Sequence, residues 1–135
     1  MPTDVGYLVG LFTHETPRMG PLVWVARPTF NHPPTLEEVG QIGEWRWPVL
    51  FQLGSAIRQK VVSPIGEIPI PDALQRFPTM RSGDRRIGWQ AFDEVDSVRP
   101  NLGRTTDASL PIYQIVNGPA LRHMVETNWK PEDRF

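Results

Sequence analysis

Proline is the residue that most narrows what this chain can become. Fifteen prolines and eleven glycines are spread through 135 residues. Each proline deletes an amide donor, and each glycine adds backbone entropy that folding must overcome. Long helical bundles are therefore excluded, while short strands joined by turns tolerate both residues. With 39% hydrophobic and 21% charged residues, the chain has enough apolar surface for a core. Its length predicts a single domain over residues 1–135.

Fourteen basic against fifteen acidic residues leave a net charge of -1, which gives no general attraction to phosphate backbones or anionic lipid. Nucleic acid and membrane are accordingly not expected as partners. The chain has no cysteine, which removes disulfides, thiolate nucleophiles and Cys-containing metal sites, and fits a cytoplasmic location. Met1 to Gly6 includes Asp4 and no basic residue, and Val5 to Phe12 is too short an apolar run to span a bilayer, so no export or insertion signal is read here.

Tyr7 to Phe12 and Pro21 to Arg27 are apolar on both alternating faces, predicting buried strands joined by the polar stretch His14 to Gly20. Thr35-Leu36-Glu37-Glu38 has capping-box spacing, and Gly40 and Gly43 should end the short helix it starts. A third strand is expected from about Pro48 to Leu53, and an edge or bulged strand over Val61 to Ile70, where Pro64 and Pro69 interrupt the donors. Asp72 to Phe77 reads as one helical turn capped by Asp72. A second hairpin is expected around the turn Arg81 to Arg85, followed by a surface loop from Val98 to Ser109. Leu110 to Val116 should be a strand, and Asn117-Gly118-Pro119 should cap a helix that packs Leu121, Met124 and Val125 onto the sheet. The predicted fold is mainly β, a β-rich α+β domain. It is built as a twisted antiparallel sheet or small barrel, with one short internal helix and one near the C-terminus.

Catalytic signatures are sparse. The three histidines, His14, His32 and His123, sit in no metal-binding spacing, so His14 and His32 would form a metal site only by tertiary convergence. Neither a GxSxG elbow nor a glycine-rich phosphate cradle occurs, and no cofactor is expected. Glu37 and Glu38 are explained by helix capping. Asp93, Glu94 and Asp96 read as a solvated turn or, more sharply, as an acidic docking patch for a basic partner. Trp45, Arg46 and Trp47 are residue types enriched at binding hot spots, with Trp45 and Trp47 on one strand face and core packing as the competing explanation. Arg81, Arg85 and Arg86 read as a solvated hairpin tip able to meet an acidic or phosphorylated ligand.

The ordered set of a strand pair, Pro34-Thr35-Leu36-Glu37-Glu38, Pro48-Val49-Leu50-Phe51, Ser55-Ala56-Ile57 and Ile65-Gly66-Glu67-Ile68-Pro69-Ile70-Pro71 resembles the family of bacterial immunity proteins numbered twenty-six. The resemblance covers about residues 5 to 100. Family members often carry a tryptophan shortly before the Ile-Gly pair, where this chain has Val61-Val62-Ser63-Pro64. The resemblance implies a β-rich cytoplasmic protein that binds and neutralises a cognate toxin of a bacterial polymorphic toxin system. Some relatives are labelled phosphotriesterases, so a metal-assisted hydrolase using His14 and His32 is one alternative; a non-catalytic homodimer joined through the tryptophan segment is another.

Overall fold

The computed structural model describes residues 1–93 and 101–134. A two-residue pair, β1 (Pro2–Thr3) and β2 (Gly6–Tyr7), opens the chain. A hairpin follows, β3 (Gly10–Thr16) with β4 (Gly20–Ala26); β4 is the buried strand expected, but the expected strand Tyr7 to Phe12 is broken at Leu8 and Val9, and β3 is largely uncovered, with Phe12 48% exposed. The hairpin connection is only Pro17 to Met19, so His14 to Thr16, expected in the loop, belong to β3 instead. The Thr16 hydroxyl makes the tight turn, donating to the Gly20 carbonyl at 2.8 Å and accepting the Met19 amide at 2.9 Å.

Helix α1 (Leu36–Gly40) begins at the predicted capping box and ends at its glycine. Strand β5 (Trp45–Phe51) pairs antiparallel with β4, and helix α2 (Leu53–Arg58) follows it directly. That helix replaces the end of the expected third strand; Gly54, a weak helix former, hides it, and the burial of Ala56 against the core holds it in place. Residues 61–70 form no strand. Three prolines, Pro64, Pro69 and Pro71, and Gly66 at φ +141° leave too few aligned donors for a ladder. A 3-10 turn spans Asp72–Leu74, with Pro71 rather than Asp72 at its N-cap.

The second hairpin, β6 (Met80–Asp84) with β7 (Gly88–Phe92), is present, but Arg81 to Asp84, expected in its turn, belong to β6 and the turn is Arg85 to Ile87; β8 (Asn101–Thr105) adds to this hairpin in place of the expected surface loop. Of the expected strand 110–116, only β9 (Ile115–Val116) is regular, and it runs parallel to β5. Helix α3 (Gly118–Glu126) is capped by the Asn117 side chain, which accepts the Ala120 amide at 2.9 Å; a 3-10 turn, Pro131–Arg134, follows. The fold is thus mainly β. Its larger sheets, in the orders β3-β4-β5-β9 and β6-β7-β8, are open, so the twisted-sheet alternative holds and no barrel closes among the described residues.

Alternation along β4 and β5 gives the four-stranded sheet two buried faces. Val23, Val25, Trp47, Val49 and Phe51 point to one side, where Ala56 of α2 and Leu121 and Val125 of α3 cover them. Leu22 and Leu50 point to the other and meet Met80 of the second sheet together with Tyr113. Farther along that second face, Ala26 joins Val9 and Val39, with Trp45 and Ile68 packed alongside. The result is a layer of helices, a central sheet and a second sheet.

One bulge decides where the tryptophans go. Trp24 opposes Pro48 and Ala26 opposes Trp45, so β5 spends three residues where β4 spends two. An extra residue inverts the alternation that follows. Trp45 and Trp47 therefore lie on opposite faces, correcting the expectation that they share one. Pro48 is tolerated because β9 reaches only Leu50 and Phe51 and leaves that stretch of β5 without a second neighbour.

Candidate functional site

Where Pro28 stops the pairing of β4 and Gly43 precedes β5, two chain segments run side by side and leave an open cleft of about 460 Å³. Arg27, Pro28 and Phe30 line one wall; Gln41, Ile42 and Glu44 line the other, with Glu38 of α1 at the end. The walls are fixed by backbone bonds. The Arg27 amide donates to the Glu44 carbonyl at 3.1 Å, and Phe30 exchanges amide bonds with Tyr7 at 2.6 and 3.0 Å. Phe30 and Ile42 are partly buried against Val9, Ala26 and Val39, giving an apolar base continuous with the core.

Ion pairs rim this base. Arg27 Nε lies 3.4 Å from Glu44 Oε2, and His32 Nε2 lies 2.9 Å from Glu38 Oε2. Both are solvent-exposed, so they contribute little to stability and mainly set the charge pattern of the rim. Glu38 also completes the capping box, accepting the Thr35 amide at 3.0 Å while its own amide donates to the Thr35 hydroxyl at 3.2 Å. The Thr35 amide first, and then the bond from His32, hold the Glu38 carboxyl below its usual range. A carboxylate with a depressed folded-state pKa stabilises above its unfolded value and loses that contribution as pH falls through the folded one. Stability of the wild type should therefore drop below about pH 4.5. Glu38→Gln should flatten that part of the curve, as thermal unfolding between pH 3 and 6 would show.

The structure separates the residues singled out in the sequence. Trp45, next in chain to Glu44, is half-buried and packs against the core of Val9, Ala26 and Val39 rather than lining the cleft. Arg46 is also half-buried and donates from Nε and Nη2 to the Arg27 carbonyl at 3.3 and 3.1 Å, tying β5 to the cleft. Trp47 is only 6% exposed and belongs to the core, its Nε1 donating to the Trp129 carbonyl at 3.1 Å. Asp93 accepts a hydrogen bond from the Thr79 hydroxyl at 2.5 Å. Glu94 and Asp96 lie outside the described residues.

His14 and His32 occupy opposite ends of the first hairpin. His14, opposite Leu22 near the turn, donates from Nε2 to the Gln75 carbonyl at 2.7 Å, and its Nδ1 is hydrogen-bonded to the Thr13 hydroxyl at 2.8 Å. His32 follows Phe30 beside α1 and is engaged with Glu38 and Asn31. Among the described residues, no group of three His, Asp or Glu side chains is placed to hold a metal ion.

The arginine cluster also divides. Arg85 and Arg86 are exposed at the hairpin tip, but Arg81 is fully buried, correcting its placement at a solvated tip. Its guanidinium donates to the carbonyls of Leu110, Pro131 and Arg134 at 3.1, 2.6 and 3.4 Å, and its Cζ lies 3.9 Å from the centre of the Trp89 ring. Burial, with the neighbouring Arg134 second, pushes its pKa down from the ordinary arginine value.

Sequence reasoning missed the cleft, because its walls come from two segments each recognisable only as a proline- or glycine-broken loop. Their adjacency is a product of the β4–β5 pairing. No helix among the described residues is long and apolar enough to cross a membrane. Comparison with family models, with curated proteins and with solved structures finds no match to this chain.

Proposed function

We propose that this protein is a binding module of a bacterial toxin–immunity pair, which neutralises its cognate toxin in the cytoplasm by occluding it through the cleft beside α1. The observation that carries this reading is the build of the cleft: an apolar base of Phe30 and Ile42 inside an ion-paired rim. An apolar centre inside a polar rim is the anatomy of protein interfaces, and arginine, here Arg27, is enriched there. The ordered segments that resemble the immunity family point the same way.

Co-expression with the product of the adjacent reading frame tests it. A stable complex should form, bury more than about 1,000 Å² and abolish the toxin's activity. The double exchange Arg27→Glu with Glu44→Lys keeps an ion pair but inverts the rim's charge order, and should weaken the complex about ten-fold or more. No complex would end the immunity reading, whereas a complex indifferent to the exchange would move the contact surface away from the cleft.

A further inference from the structure

We propose that the tip of the β6–β7 hairpin, with Arg104 of β8, is a second docking surface, and that its occupant is an acidic, aliphatic-bearing segment of a protein. The tip is built to hold one shape. Gly83 sits at φ +131°, where an added Cβ would lie 2.1 Å from the Gly88 carbonyl oxygen, so the two strands cross too closely for any other residue. Asp84 Oδ1 accepts the amides of Arg86 and Ile87 at 2.8 and 2.9 Å, which directs its negative charge into the turn. A turn ordered in advance loses little entropy on binding.

What this rigid tip displays is apolar and cationic. Ile87 is 62% exposed, the highest value among the exposed large hydrophobics of the described residues. Arg85 and Arg86 precede it, and Arg104 Nη1 lies 3.4 Å from where a Cβ on Gly88 would stand, placing its guanidinium against the turn. Arg85 is engaged in a contact of its own, so the tip offers a partner the guanidinium groups of Arg86 and Arg104, with the Asp84 carboxylate turned inward. Asp93 lies beyond the other end of β7. Guanidinium groups pair bidentately with carboxylates, and an isoleucine between them favours a partner with aliphatic side chains among its acids. Two such groups on a near-neutral chain make too small an electrostatic footprint for a nucleic-acid backbone.

The test uses the full chain, labelled for backbone amide NMR, with ten-residue peptides alternating Glu-Leu, Glu-Ser or Lys-Leu and a deoxythymidine decamer. The Glu-Leu peptide should shift the amides of residues 84–88 and 104. Its affinity should fall about ten-fold in Arg86→Glu with Arg104→Glu and about three-fold for Glu-Ser or for Ile87→Ser. Amide spectra of these surface variants otherwise matching the wild type would show that folding is kept. The cleft exchange at Arg27 and Glu44 should leave these shifts unaltered, so this surface stands or falls apart from the cleft. Absent shifts at the tip, equal binding of the Lys-Leu peptide, tighter binding of the decamer, or indifference to the double arginine reversal would each overturn the proposal.

Discussion

Arg81→Ala should destabilise the protein by about 4 kcal/mol, enough to unfold a domain of ordinary marginal stability under mild denaturant. The side chain is fully buried and joins three distant parts of the chain: β6, the segment ending at Leu110, and the 3-10 turn that begins at Pro131. Removing it leaves carbonyls without donors at about 1–3 kcal/mol each, and also deletes a desolvated cation–π contact with Trp89. Arg81→Lys should recover only part of the loss, because an ammonium cannot reproduce a planar fork of donors aimed at separate acceptors. Urea unfolding followed by tryptophan fluorescence would measure both variants. A loss below about 1 kcal/mol for the alanine variant would show that water satisfies those carbonyls instead.

The second large effect is expected at Trp47, where replacement by alanine should cost about 3–5 kcal/mol. The indole fills the helix-facing side of the central sheet and stacks edge-on against Trp129 with ring centres 5.4 Å apart. It also donates to the Trp129 carbonyl, so even Trp47→Phe should lose about 1 kcal/mol or more. Trp24, on the neighbouring strand, provides the control: its Nε1 is buried without a hydrogen-bond partner among the described residues. Trp24→Phe removes a donor that gains nothing from folding and should be neutral or stabilising. Equal losses for the two phenylalanine variants would contradict this difference between the indoles.

Much of this architecture could be read from local residue chemistry. The capping box at Thr35 and Glu38, the Asn117 cap, and the spacing of Leu121, Met124 and Val125 each place an element through interactions within one turn of chain. The two hairpins follow from apolar runs around turn residues. What local pattern could not supply was the outcome of pairing between distant segments. The bulge in β5 exists only because β4 lies beside it, and it sends Trp45 and Trp47 to opposite faces. Arg81 looked like a solvated charge because its carbonyl acceptors stand 29 to 53 residues farther along the chain. The cleft was hidden for the same reason, since neither of its loops has a distinctive composition.

The parallel docking of β9 against β5 has a consequence for how the protein is made. Residues Leu50 and Phe51 must wait for Ile115 and Val116, more than sixty residues later, before their outer backbone groups find a mate. A chain emerging from the ribosome thus carries a sticky, unfinished border while those sixty-odd residues are made. Completion arrives only when Ile115 and Val116 dock beside β5, so the growing protein is open to self-association until they do.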